Sequence, residues 1–144
     1  MAALLFGVSA AAAPAGRITA LSGSLIGAKA DGKKHALGID SEVDEGDTLL
    51  TYGDSRATIR FNDGSRVMMR PDSQFRVQKF DFAADEPAKD MAILSLLKGG
   101  LRAITGLVGK RTADSYRMRT PTATIGIRGT DYALLYCAAG ECAN

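Results

Sequence analysis

Between Arg56 and Arg70 the chain alternates. Ala57, Ile59 and Phe61 share one parity, and Arg56, Thr58 and Arg60 share the other. That is the two-residue period of a strand with one buried face. Asn62-Asp63-Gly64 breaks the run with a pair suited to positive φ. The return from Ser65 to Arg70 points Val67 and Met69 inward. A hairpin is predicted, with burial of Ile59 and Phe61 contributing roughly 1.5–3 kcal/mol each. The period recurs at Ala123, Ile125 and Ile127, against Thr122, Thr124, Gly126 and Arg128. Pro121 has no N–H for a ladder and suits a strand's first residues or an edge. This stretch, Thr120 to Tyr132, has the densest β-branched composition. It predicts a central strand around which the hairpins pack, with Arg128 as a buried polar staple that forks onto carbonyls or onto Asp131.

The other segments are short. Ser22-Gly23-Ser24 predicts a turn joining a strand pair around Ile18, Ala20 and Leu25, and Asp31-Gly32-Lys33-Lys34 predicts another turn. Asp44-Glu45-Gly46-Asp47 predicts an Asx-type turn feeding Thr48–Thr51. Phe75 and Val77 share one parity and Phe80 and Phe82 the other, which demands a bulge near Gln78-Lys79. Ala83 to Lys89 reads as a solvated, mobile loop. Met91 to Leu97 reads as a buried strand stopped by Lys98-Gly99-Gly100, with Leu101 to Gly106 as a separate piece. Turn signals every eight to twelve residues imply an all-β fold. The expected form is an antiparallel sandwich or a closed, jelly-roll-like sheet of many short strands, with a short β-solenoid as the alternative.

Composition narrows the function. At 144 residues the chain is one domain by size. Tryptophan is absent and 46% of residues are apolar, so the core rests on aliphatic side chains. The net charge of +2 does not by itself call for a nucleic acid. Its distribution is uneven. Asp40, Glu42, Asp44, Glu45 and Asp47 crowd one segment. From Lys98 to Arg128 the only acid is Asp114. Two readings compete. The two segments form charged faces that complement each other within the fold. Alternatively Lys98, Arg102, Lys110, Arg111, Arg117 and Arg119 form a basic interaction face for an anionic partner, such as a lipid headgroup or acidic glycan.

Catalytic patterns are missing. There is no serine–histidine–acid set, no histidine pair, no Cys-x-x-Cys and no dinucleotide fingerprint. Gly106 to Lys110 lacks phosphate-loop spacing, and Asp44 to Asp47 lacks the alternating oxygens of a calcium loop. His35 stands beside two lysines as a surface residue. No catalytic residue, metal or cofactor is expected. A cryptic hydrolase would need two carboxylates within about 10 Å in a cleft.

Met1 to Ala15 is uncharged, apolar and closed by Ala13-Pro14-Ala15. It predicts a cleaved secretory leader, a domain from 16 to 144 and a mature start near Gly16. The run is shorter than the about 20 residues that cross a bilayer. Cys137 and Cys142 bracket a glycine-bearing turn, where a disulfide would contribute roughly 2 kcal/mol in an oxidising compartment. The competing zinc site would have to recruit carboxylates.

The stretch Thr120, Pro121, Thr124, Ile125, Gly126, Ile127, Arg128, Gly129, Thr130 and Asp131 resembles the late signature of FecR-type domains. These are periplasmic sensing domains named after the ferric-dicitrate regulator. Glu45-Gly46-Asp47-Thr48-Leu49 with Thr51, Arg56 to Phe61, Asp63-Gly64-Ser65, Pro71 to Phe75 and Lys98 to Arg102 fit in the expected order. The resemblance spans roughly Gly16 to Tyr136. It implies an all-β periplasmic domain that takes a signal from an outer-membrane transducer. In full regulators a cytoplasmic anti-sigma segment and one membrane span precede this domain. Neither is expected in these 144 residues, so the binding role is what carries over. The expected partner is an envelope protein, bound by edge-strand pairing or through the basic face. An anionic glycan or peptidoglycan is the alternative partner.

Overall fold

The computed structural model describes residues 13–127 and 131–137. In chain order its strands are β1 (Gly16–Ser22), β2 (Leu25–Ala28), β3 (Lys34–Leu37), β4 (Glu42–Val43), β5 (Thr48–Thr51) and β6 (Arg56–Phe61). They continue with β7 (Arg66–Met69), β8 (Gln74–Asp81), β9 (Met91–Ile104), β10 (Tyr116–Thr120), β11 (Ala123–Gly126) and β12 (Asp131–Tyr136). A short helix, α1 (Leu107–Arg111), precedes β10.

The strands form two sheets that share β9. The front sheet runs β4-β1-β6-β7-β9-β12 through the second half of β9. The back sheet runs β3-β2-β5-β8-β9-β10-β11 through its first half. All pairings are antiparallel except β9 with β10. The inner faces meet in one aliphatic core holding Ile18, Ile59, Val67 and Leu101 from the front and Leu25, Leu49, Phe75 and Leu96 from the back. This is the sandwich expected from the alternation, with no solenoid stacking.

The hairpin of β6 and β7 forms as predicted, with Ala57, Ile59, Phe61, Val67 and Met69 buried. The register of β8 on β9 slips between Val77 and Lys79, which is the predicted bulge. Three expectations are corrected. The Ser22–Ser24 turn does not close a hairpin. It carries the chain from the front sheet, where β1 pairs with β4 and β6, to the back sheet, where β2 pairs with β3 and β5. Lys98-Gly99-Gly100 does not stop a strand, because β9 runs through it. Gly99 holds φ +80°, and a Cβ there would lie 2.7 Å from the Asp72 carbonyl oxygen and 2.3 Å from Ser73 Oγ. The left-handed residue bends β9 from one sheet into the other. Ser73 secures the crossing: its hydroxyl donates to the Gly100 carbonyl at 3.0 Å and accepts the Gly100 N–H at 2.9 Å.

The third correction concerns the centre. Among the described residues, Thr120 to Ile127 do not form a core strand. β11 pairs only with β10 and is exposed apart from the half-buried Ile125. The element spanning both sheets is the fourteen-residue β9. Alternation reveals a one-sided strand, but it does not distinguish a central position from an edge.

Candidate functional site

The family-signature residues divide between three settings. Thr120 ends β10 and Pro121 lies in the turn. Thr124, Ile125 and Gly126 form the outer β11 strand, and Ile127 packs against the core. Arg128, Gly129 and Thr130 lie outside the described residues, so the polar staple does too. Asp131 opens β12, and its carboxylate accepts both Nε and a terminal nitrogen of Arg102. Those bonds hold Asp131 below the usual carboxylate range. Cys137 follows β12. Its expected partner, Cys142, lies outside the described residues.

The predicted basic set does not share one surface. Lys98, Arg117 and Arg119 belong to the back sheet, and Arg102 to the front. Lys110 is exposed on α1. Arg119 Nε is buried with no hydrogen-bond partner among the described residues. Arg111 turns inward: Nε and a terminal nitrogen fork onto Asp90 at 2.6 and 2.7 Å. Its terminal nitrogens also reach the carbonyls of Ala84 at 2.8 Å and Ala83 at 2.6 Å. The fork holds the buried Asp90 below its ordinary range against the opposing effect of desolvation. The loop expected to be mobile is therefore tied at both ends of residues 83–90. The acidic segment does not complement this set either. Lys29 takes Asp44 at 2.8 Å and Asp47 at 2.9 Å, and Glu42 takes Arg17 at 3.1 Å. Desolvation opposes the Lys29 charge, but hydrogen bonds and attraction from the two aspartates outweigh it and raise its pKa.

The concentrated charge lies elsewhere. On the outer surface of the front sheet, Arg17 pairs in register with Arg60, and Arg60 with Arg66. Directly opposed side chains on one face sit roughly 4.5–5.5 Å apart at Cβ, so three guanidinium stems abut. One step along, Thr58 lies opposite Met68, and Met68 opposite Arg102. A further step brings Arg56 and Arg70, which line an open groove of about 600 Å³ with Thr58, Met68, Arg102 and Leu135. Arg17 has Glu42 and Arg102 has Asp131. Among the described residues Arg56, Arg60, Arg66 and Arg70 have no acidic partner.

These four arginines were absent from the predicted set, although the signal was legible. They occupy the polar parity of the hairpin whose apolar parity forms the core. No cluster of three or more histidine, cysteine or acidic residues among the described residues is placed to hold a metal. Tyr116 and Tyr132 share a 2.6 Å hydroxyl contact that joins β10 to β12. Burial pushes Tyr132 up to about 12. No helix among the described residues is long and apolar enough to cross a membrane.

The family model described as FecR protein matches residues 47–141, more than half the chain. No curated protein matches. A solved structure titled cell surface anchoring domain is 33% identical, covering 44% of this chain and 83% of its own, with a TM-score of 0.42.

Proposed function

The chain belongs to the FecR protein family, and from that premise we propose a non-catalytic sensing module of the periplasm or cell envelope. The family is one of regulators and sensors without enzymatic activity, which supports a role in signal transduction. The module binds an envelope protein through the outer face of its front sheet. The observation that carries this reading is the abutting row Arg17–Arg60–Arg66, in which like charges stand directly opposite one another. Such opposition destabilises a sheet, and an acidic partner relieves it.

The envelope setting entails export. Ala15 is buried, donates its N–H to Val43 at 2.8 Å and accepts the Asn62 N–H at 2.9 Å. These bonds favour a cut upstream of Ala15 over one at Gly16, and a Cys137–Cys142 disulfide is expected in the exported chain. The intact mass of the exported chain reads both features.

Immobilised protein is expected to retain an acidic protein from envelope extract, and the Arg60→Glu, Arg66→Glu double variant is expected to release it. Equal retention by the folded variant overturns the reading. The same arginines also suit an anionic glycan. Sedimentation with purified cell wall distinguishes that partner, but no aromatic side chain lines the groove to serve as a sugar platform.

A further inference from the structure

We propose that the front face recognises an extended acidic segment with two carboxylates four residues apart and an apolar side chain midway. The proposal rests on the reading of this face as a binding surface and specifies what lies on it. Its basis is the spacing of the unpaired arginines. Arg60 and Arg66 form one directly opposed pair. Arg56 opens β6 and Arg70 follows the last residue of β7, and both line the groove. Arg56 and Arg60 are four residues apart on one parity of β6, which at strand rise is about 13 Å.

An extended peptide has the same rise. Its residues i and i+4 point to one side about 13 Å apart, with residue i+2 between them on that side. A helix places i and i+4 only about 6 Å apart and cannot reach both pairs. Guanidinium groups take carboxylates by two parallel bonds, so each arginine pair offers a fixed fork to one carboxylate.

Between the two pairs Met68, half-buried, lies between Thr58 and Arg102, whose guanidinium is taken by Asp131. Leu135 stands 53% exposed at the Arg70 end of the groove, opposite Gly100, although it is a large aliphatic side chain on an outer face. Gly100 leaves the space beneath: a Cβ there would meet Leu135 Cδ1 at 3.0 Å and Arg70 Cδ at 3.2 Å. A polyanion read by charge alone has no use for Met68 or for the exposed Leu135. A segment with a leucine between two glutamates sets that leucine over Met68.

The test uses the full chain and a fluorescein-labelled peptide, Ser-Glu-Ser-Leu-Ser-Glu-Ser, by anisotropy at low salt. The spaced peptide is expected to bind at least tenfold tighter than a permutation with adjacent glutamates. It should bind severalfold tighter than the version with serine in place of leucine. Arg66→Glu should weaken it at least tenfold and Arg117→Glu on the back sheet should leave it unchanged, with melting curves confirming that both variants fold. Equal binding of spaced and permuted peptides overturns the proposal, as does displacement by polygalacturonate at equal carboxylate concentration. If the peptides fail while the Arg60/Arg66 double variant still releases an envelope protein, the segment is wrong and the binding face stands. If both fail, the face itself is wrong.

Discussion

On the back sheet's outer face Arg76 lies opposite Thr48 and Ser95, Arg117 opposite Ile93 and Gly126, and Arg119 opposite Ser95 and Thr124. Lys34 faces Ala28, Lys79 faces Ile93 and Lys98 faces Gln74. Each of these cations has a neutral residue opposite it in register, and Lys79 also pairs with Asp81 at 3.4 Å. On the front sheet Arg60 stands between Arg17 and Arg66. Both faces are basic, so net charge does not separate them. Their registers do. The back face disperses charge, as a solvated surface tolerates it, whereas the front face concentrates charge at a cost in stability that a partner can offset. The same contrast separates the two arginine forks. Arg111 is spent internally on the buried Asp90, whereas Arg102 meets Asp131 at the surface.

The largest effect is expected beneath the front face. Ile59→Ala leaves every arginine in place and should cost about 2–5 kcal/mol in a urea titration. Well below its melting temperature it should still bind the acidic peptide. Loss of binding there would mean that weak binding reflects unfolding, and the comparison of faces would fail.

Gly99→Ala strikes the bend where the two faces part. The added Cβ meets backbone at positive φ, and the cost is expected to be about 1–3 kcal/mol by the same titration. Alkaline titration probes the Tyr116–Tyr132 joint between β10 and β12. The folded pKa of Tyr132 is raised from 10.0 to about 12. Its contribution is therefore present below pH 10 and lost as pH rises through about 12. Circular dichroism melts across that window should fall in step with tyrosinate absorbance, and Tyr132→Phe should flatten the dependence.

The smallest effect bears most directly on the contrast. Arg66→Glu places a carboxylate opposite Arg60 and should raise stability by about 0.2–1 kcal/mol while it weakens binding. Arg117→Glu, which has no cation opposite it, should give no comparable gain. Equal changes in thermal denaturation for the two variants would remove the distinction between the faces.

Much of this was legible beforehand. The β6–β7 hairpin, its inward side chains and the bulge at Val77–Lys79 follow from parity, because local alternation fixes which side chains are buried. The arginines at 56, 60, 66 and 70 were legible in the same way, as the other half of that pattern. Grouping charge by nearness along the chain instead favoured Arg111 and Arg119, which the fold turns partly inward. The path of β9 through Gly99-Gly100 was not legible. Two glycines after a lysine read equally well as a stop or a bend, and the choice depends on Ser73 and Asp72, some twenty-five residues away.

The sequence by itself determined the all-β class, the strand periods, the hairpin and the family, because each is carried by residues close in the chain or by the order of short motifs. Tertiary structure alone decided that β9 spans both sheets and that Ala123–Gly126 lies at the margin. It also decided that Arg17, Arg60 and Arg66 stand side by side. Those outcomes depend on which strands pair and in what register. Such pairing is settled by burying two apolar faces against each other across long stretches of chain.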